Sequence, residues 1–362
     1  MSADASARIA RLLRPLLPLP VLEFWSGRIN PVLSFQTVKA RVVERRMEAR
    51  DTVSLVLQPN HLFAGFQPGQ HVNVTVDVKG VRLTRSYSFS DQPRTDGRLV
   101  ITVRQTPGGR VSTHLCQQTV VGDVLELGQA FGEMTLPSAP TGDYLFLAAG
   151  SGITPLMSLT RALLSGDAPV KLTLAYWVKT RADLCFLNEL QTLARTDRRF
   201  RLLTVLTRED ARLADECFGR LNQAFLTAQL PPLANQQVLA CGPFGFVDNA
   251  RQLLQTCVRS FAAEAFSLPG TPDDQSTRTV TVTLTRSQRT LNLSTGQSLL
   301  DGLEAQGVTP ASGCRMGICH TCTCTQSAGS SRNRLTGEVQ SEAGSDVRLC
   351  ISRPQTDLTL NL

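Results

Sequence analysis

Gly313-Cys314-Arg315-Met316-Gly317-Ile318-Cys319-His320-Thr321-Cys322 is the stretch that decides how this 362-residue chain reads. Its cysteines are spaced Cys-x4-Cys-x2-Cys, and a fourth, Cys350, lies far downstream. A two-iron two-sulfur cluster needs four soft thiolates converging on two irons, three from one tight loop and the last from a remote segment. The spacing therefore predicts Cys314, Cys319, Cys322 and Cys350 as ligands. Gly313 and Gly317 are expected at the backbone turns of such a loop, where amides are free to point at sulfur. Structural zinc is the other use of clustered cysteines. It prefers paired Cys-x2-Cys or Cys/His knuckles, and the only nearby histidine, His320, lies inside the loop. Cys324, at the loop's edge, reads as a small buried side chain on the next strand.

Around the loop, alternation predicts a hairpin over 279–285 and 289–293 and a closing strand over 357–362. A helix-like stretch over 298–306 carries Asp301 and Leu303. These residues resemble the plant-type ferredoxin domain, and the resemblance covers 277–362 and implies a β-grasp fold. It departs in charge: residues 277–362 hold eight Arg against six Asp or Glu, whereas free ferredoxins of this type are usually acidic. A docking mode through an acidic face is not expected.

Length and composition bound the rest. A chain of this size holds two or three domains. With 42% hydrophobic and 19% charged residues it falls among ordinary globular proteins. Its 10 cysteines show no pairing logic beyond the cluster set, which fits a reducing compartment. The net charge of +7 is concentrated near the start, where residues 1–50 carry nine Arg or Lys against four acids. Residues 9–35 are apolar but broken by arginines and prolines, so neither a spanning helix nor a signal peptide is expected. The segment either packs on its own first domain, which the prolines favour over a long helix, or rests on a membrane surface.

Short alternating strands punctuated by Gly and Pro over 38–43, 53–57, 71–78, 81–89, 99–105 and 124–131 predict an antiparallel barrel. Two motifs stand on it: Arg85-Ser86-Tyr87-Ser88 at a strand end, and Gly108-Gly109-Arg110-Val111-Ser112-Thr113 before a helix. An Arg supplies charge to a pyrophosphate, a Tyr ring flanks an isoalloxazine, and a Ser hydroxyl reaches its redox-active nitrogen. A Gly-rich turn opening a helix offers amides to phosphate. Tyr87 alone would pass as barrel core. Together these residues resemble the ferredoxin–NADP reductase superfamily. The resemblance implies FAD held by Arg85, Tyr87, Ser88, Val103, Arg104, Gly109, Val111, Ser112 and Thr113, with Ser88 also catalytic.

From 143 the pattern turns to alternating strand and helix, a doubly wound parallel sheet that binds nicotinamide. Expected elements include strands over 144–149, 172–177, 201–206 and 238–240 and helical stretches over 153–164, 182–194 and 247–261. The first turn, Gly150-Ser151-Gly152-Ile153-Thr154-Pro155, lets backbone approach a pyrophosphate at a helix start. Cys241-Gly242-Pro243 ends the last long strand and resembles the Cys-Gly-Pro motif of the same superfamily, which implies a catalytic Cys241 beside the nicotinamide. A small buried residue is its plainer use. Glu264-Ala265-Phe266 resembles the Glu-x-Phe of related reductases, implying Phe266 over the flavin or in the core. No histidine is expected in acid–base work. Thr207-Arg208-Glu209 resembles the 2′-phosphate site of NADPH users, so NADPH is the expected coenzyme and NADH the alternative.

The resulting plan is multidomain: an N-terminal extension over 1–36, a FAD-binding barrel over 37–138, an NAD(P)-binding domain over 139–267, a Pro/Gly-rich linker over 268–276 and the ferredoxin domain over 277–362. A hydride carries two electrons and the cluster accepts one, so a flavin between them reconciles the counts. The order implies a cytoplasmic electron-transfer reductase feeding an oxygen-activating partner. Among fused reductases of this order the chain looks most like the donors of membrane fatty acyl desaturases. That resemblance implies peripheral contact at the inner membrane face and no nucleic-acid partner. A reductase of a soluble or Rieske-type oxygenase is the alternative, and a non-catalytic redox sensor a third.

Overall fold

The computed structural model describes residues 18–209, 213, 216–268 and 277–362. They divide into two compact units. One runs to Gly242 and resumes over Phe246–Glu264; the other comprises Pro243–Gly245 and Ala265–Leu362. The expected linker lies almost wholly outside the described residues.

The first unit opens with helix α1 (Leu19–Ile29), which starts directly after Pro18 and has proline in its first turn, where a missing N–H costs nothing. Six antiparallel strands follow: β1 (Val38–Ala49), β2 (Thr52–Pro59), β3 (His71–Val78), β4 (Val81–Ser88), β5 (Leu99–Arg104) and β6 (Val124–Phe131), in the order β4-β3-β6-β1-β2-β5. Val38, Ala40 and Val42 alternate inward along β1, as period-two patterning requires. An antiparallel bridge between Phe89 and Ile101 joins the two outer strands and closes the barrel. Its core gathers Val72, Val74, Phe89, Ile101, Val103 and Leu115. Helix α2 (Arg110–Gln117) covers it with Val111 and Leu115.

The same unit holds a second sheet. Strands β7 (Gly142–Ala149), β8 (Val170–Val178), β9 (Phe200–Leu206), β10 (Glu216–Phe218), β11 (Gln236–Gly242) and β12 (Ser260–Ala265) lie in the order β10-β9-β8-β7-β11-β12. The pairs β10·β9, β9·β8, β8·β7 and β7·β11 are parallel. Six consecutive buried positions in β7 and seven consecutive in β8 give the unbroken buried runs of strands covered on both faces. Helices α3 (Ile153–Leu164), α4 (Leu187–Thr196), α5 (Gln223–Gln229) and α6 (Phe244–Leu254) complete the chain's passage through this region. One expectation is corrected here. The stretch over 247–261 is not one element: α6 ends at Leu254, and the chain returns as β12 beside β11. Pairing with β11 satisfies backbone groups that a longer helix would have bonded internally, and propensity yields to that context.

The second unit is a five-stranded mixed sheet, β14-β13-β20-β15-β18, with a small three-stranded sheet, β17-β16-β19. Strands β13 (Thr279–Leu284) and β14 (Arg289–Ser294) form the hairpin, and β20 (Leu358–Leu360) lies parallel to β13. Strand β15 (Thr323–Ala328) pairs antiparallel with β20 and with β18 (Ser345–Arg348). The small sheet holds β16 (Ser331–Asn333), β17 (Val339–Gln340) and β19 (Ser352–Pro354). Helix α7 (Leu299–Ala305) is capped by Ser298, whose hydroxyl accepts the Asp301 amide at 3.1 Å and donates to its carboxylate at 2.6 Å. Leu299, Leu300 and Leu303 pack it onto Val282, Leu293 and Leu358.

Candidate functional site

In the second unit the thiols gather at one place. Cys314, Cys322 and Cys350 are buried, and Cys319 is partly exposed. The Cys319 sulfur accepts the Cys314 amide at 3.2 Å, and the Cys314 sulfur accepts the amides of Met316 and Cys319 at 3.3 Å each. Thiol–thiol hydrogen bonds lower Cys314 and Cys322 and, together with burial, raise their partners Cys319 and Cys350. The Leu349 amide donates to the Cys322 carbonyl at 3.2 Å, tying the loop to the segment that carries Cys350. Four sulfurs gathered in one place, with amides aimed at two of them, are what a two-iron cluster asks of its cradle. Among the described residues no three His, Cys, Asp or Glu side chains surround a single ion. A two-iron cluster does not require that, because its thiolates divide between two metals.

Gly317 takes φ +78, and a Cβ there would meet Ile351 Cδ1 at 2.6 Å. Gly313 has no positive φ. The loop instead bends at Arg315 (φ 59) and His320 (φ 55), non-glycine residues in a costly region. Arg315 is held there by Glu304, at 2.5 and 2.9 Å, and by Asp301 at 3.6 Å. This contact explains why a helix one turn ahead of the loop carries those acids. The Arg348 guanidinium donates to the Gly317 carbonyl. Cys324 lies on β15, opposite Val347, with its thiol pushed up to about 12 by burial and the Cys322 charge. Nothing in that setting favours a thiolate.

In the first unit β3 and β4 pair so that His71 stands opposite Ser88. Ser88 is buried, and its hydroxyl is among the buried polar atoms without a hydrogen-bond partner. An orphaned buried hydroxyl at a strand end fits a bound group that would complete it. Tyr87 packs against the barrel core, and burial, with Cys116 nearby, pushes its phenol well up. Arg85 donates to the Thr84 carbonyl at 2.7 Å. At the Gly-rich turn Gly108 has φ +72, and a Cβ on Gly109 would meet Ser112 Oγ at 2.5 Å. The Ser112 hydroxyl accepts the Thr106 amide at 3.1 Å, so it braces the turn. Helix α2 has no side-chain cap, leaving its first-turn amides for an anion. Val103 and Val111 are core side chains that could offer a cofactor only backbone. Thr113 is partly buried on α2.

The nicotinamide signatures converge. Strand order reverses between β7 and β11, the switch point where such sheets bind ligands, and one signature follows each of these strands. They interlock: a Cβ on Gly152 would lie 2.0 Å from the Cys241 carbonyl oxygen, and one on Gly242 would lie 2.8 Å from the Ala149 Cβ. Thr154 donates to the Ser151 carbonyl at 3.0 Å, and Pro155 sits buried in the first turn of α3. The Arg104 guanidinium approaches the same turn, 3.5 Å from where a Gly150 Cβ would stand, and bonds Asp183 at 3.3 Å. Thr52, Arg104, Gly150, Ser151, Thr154 and Asp183 line one small cavity there. The strand end after Ser88 is fixed to α3, since the Ser158 hydroxyl donates to the Asp91 carbonyl at 2.6 Å and Arg161 to the Ser90 carbonyl at 2.5 Å.

Two residues not singled out as functional from the sequence link Ser88 with Cys241. Glu264, on β12, reaches the barrel and meets His71, Nε2 to Oε2 at 3.0 Å. Cys241 is fully buried; burial first, then the Glu264 charge, drives its thiol pKa well up. Cys241 is therefore held as a neutral thiol. His71, which is 2% exposed, stands at this junction, a position that no sequence motif marked. Only the return strand β12, which the expected elements did not include, brings Glu264 there. Phe266 and Pro243 belong to the other unit, where Phe266 is half-buried.

Beyond the parallel strands, Thr207 Oγ1 donates to the Val178 carbonyl at 3.1 Å, and the Arg208 amide to the Lys179 carbonyl at 2.8 Å. Glu209 accepts the Arg181 amide at 2.7 Å, and Glu216 takes the Arg181 guanidinium at 2.6 Å. Arg181 is thus neutralised locally. Arg208 and Lys179 stand exposed side by side.

Family models fit this arrangement segment by segment. An oxidoreductase FAD-binding domain matches residues 39–135, an oxidoreductase NAD-binding domain 146–252, and a 2Fe-2S iron-sulfur cluster binding domain 282–355. An NADPH oxidoreductase of Mycobacterium tuberculosis is 32% identical over 359 residues, covering 98% of this chain and 90% of that protein. The chain belongs to the ferredoxin reductase flavoproteins fused to a 2Fe-2S domain. Another relative in this family, the glycine betaine monooxygenase reductase subunit of Pseudomonas aeruginosa, is 26% identical over 93% of this chain and 99% of its own length. Among solved structures, phthalate dioxygenase reductase shares the fold, with a TM-score of 0.63 at 23% identity over 90% of this chain and 98% of its own. As a member of the family the protein is an oxidoreductase that uses FAD, NAD(P)H and a 2Fe-2S cluster. Among the described residues no helix is long and apolar enough to cross a membrane.

Proposed function

We propose that this reductase takes a hydride from NADPH and delivers single electrons to a separate oxygen-activating enzyme. The interlock of Gly152 with Cys241 is the observation that carries the first half. It leaves no room for side chains at the strand ends, so backbone approaches the coenzyme. FAD, when bound, supplies the two-electron to one-electron conversion. The chain's own residues do the rest. Arg85 and the uncapped start of α2 would hold the pyrophosphate, Tyr87 would pack beside it, and Ser88 would offer its unmade hydrogen bond. Cys241 would stand at the nicotinamide as an uncharged wall, and His71 with Glu264 lies next to Ser88. Cys314, Cys319, Cys322 and Cys350 would ligate the cluster. Exposed Arg208 and Lys179 favour NADPH, whose 2′-phosphate needs a cation, and the M. tuberculosis relative is named for that coenzyme.

For the acceptor, a membrane fatty acyl desaturase is the reading favoured by α1, where Val21, Phe24, Trp25 and Ile29 are exposed. A soluble or Rieske-type oxygenase is the second reading. It is supported by the names of relatives such as the ferredoxin reductase component of 3-ketosteroid-9-alpha-monooxygenase, 30% identical over 345 residues. Adding holoprotein, NADPH and oxygen to isolated host membranes tests the choice. Formation of unsaturated acyl chains is expected. Oxygenated products formed by the membrane-free fraction alone would instead establish the oxygenase reading.

A further inference from the structure

The carboxyl ends of β8 and β9 form one edge, because the Thr207 amide donates to the Val178 carbonyl at 3.0 Å and the Arg208 amide to the Lys179 carbonyl at 2.8 Å. Ligands of a doubly wound sheet lie outside such ends, where a carboxylate suits the ribose diol of NADH and a cation the 2′-phosphate of NADPH. By that rule this edge carries both signals. Lys179 and Arg208 are exposed cations, yet Glu209 follows Arg208 directly and Glu216 opens the neighbouring strand β10.

One guanidinium takes up both acids. Arg181 Nε and Nη2 donate to Glu216 Oε1 and Oε2 at 2.8 and 2.6 Å, the bidentate geometry of the strongest ion pairs. The Arg181 amide donates to Glu209 Oε2 at 2.7 Å, and Nη1 lies 3.7 Å from Glu209 Oε1. The Leu213 amide adds a bond of 2.8 Å to Glu216, whose side chain is 5% exposed. These bonds, Arg181 foremost, hold the Glu216 carboxyl below its usual range, so it stays charged. Asp183, another acid after β8, is 3% exposed and is held by Arg50 and Arg104. Glu209 keeps its backbone amide whatever side chain stands at 181, so the guanidinium contributes charge above all. Without it, two carboxylates would stand uncompensated beside Arg208 and Lys179 and repel a 2′-phosphate.

We propose that Arg181 determines coenzyme specificity through its neighbours: it cancels the charge of Glu209 and Glu216 and leaves Lys179 and Arg208 to set the sign of the edge. It is a positioning residue, distinct from the cations that would meet the phosphate. The inference rests on the NADPH reading and adds to it a residue that the Thr207-Arg208-Glu209 resemblance does not mark.

Binding of adenosine 2′,5′-bisphosphate and of adenosine 5′-monophosphate to the holoprotein, measured by titration calorimetry, isolates the 2′-phosphate. R181Q should weaken the bisphosphate by about tenfold at low salt and leave the monophosphate unchanged, and the loss should shrink as salt screens the charge. R181Q/E209Q should recover most of that loss, and KM for NADPH against NADH should follow the same order. Because R181Q leaves the buried Glu216 without its main partner, it costs stability. E209Q keeps that pair, and it should tighten the bisphosphate by roughly threefold over the parent. The inference is overturned if R181Q weakens both nucleotides equally, or if neither E209Q nor the double variant gains affinity. In those cases the guanidinium serves only the fold or meets the phosphate itself. A parent protein that binds the two nucleotides alike overturns the NADPH reading and this inference together. A discriminating parent whose preference survives R181Q overturns the inference alone.

Discussion

The thiolate loop and the flavin–nicotinamide junction do related work and are built in opposite ways. Three of the four sulfurs come from one ten-residue stretch, and two of them, on Cys314 and Cys319, accept that stretch's own amides. The junction gathers His71, Ser88, Gly152, Cys241 and Glu264 from five separate elements, and its decisive contacts cross between a barrel and a sheet. A local device survives changes elsewhere in the fold as long as its loop closes. An assembled device depends on every element that delivers a side chain, so a small steric change at one turn reaches a distant residue.

The largest expected effect lies on the local side. Cys319→Ala removes a thiolate and should abolish the cluster and with it transfer to the protein acceptor, while bound flavin and NADPH–ferricyanide reduction remain. Iron content together with the visible spectrum checks this; a full complement of iron would exclude Cys319 as a ligand.

On the assembled side, Gly152→Ala places a methyl 2.0 Å from the Cys241 carbonyl, where backbone on both turns must move. Overpacking of about 1–3 kcal/mol predicts that hydride transfer falls by roughly five- to a hundredfold, with flavin occupancy kept. Stopped-flow flavin reduction measures it, and a variant as fast as the parent would show that the two turns are not rigidly coupled.

Coenzyme choice should yield to one side chain. Arg208→Ala removes a guanidinium–phosphate pair of about 2–3 kcal/mol, so KM for NADPH should rise roughly thirty- to a hundredfold more than KM for NADH. Equal changes for both coenzymes would move Arg208 out of the pocket and leave Lys179 as the cation.

The smallest effect sharpens the local case. Cys324→Ala touches a thiol that burial keeps protonated. It should alter neither iron content nor acceptor reduction, and should lower stability by only about 1 kcal/mol, within the usual range for trimming a small buried side chain. Loss of iron in this variant would mean that the fifth thiol stands in for one of the four.

The linear chain already determined the modular order and the chemistry of each module. Cysteine spacing, Gly-rich turns and a switch from two-residue to helical periodicity are local, and their physical requirements are met within a few residues. Tertiary structure decided the rest. His71 looks like any strand residue until β3 pairs with β4 and puts it opposite Ser88. Glu264 becomes its partner only because β12 returns beside β11, a pairing that no local pattern in the chain announces. Arg315 takes its left-handed bend because Glu304 and Asp301 of α7 hold it, a contact between elements that glycine positions could not foretell. Arg181 and Arg208 are likewise equivalent cations on paper. The fold neutralises Arg181 with Glu209 and Glu216 and leaves Arg208 exposed, since charge pairing depends on distances that only packing sets.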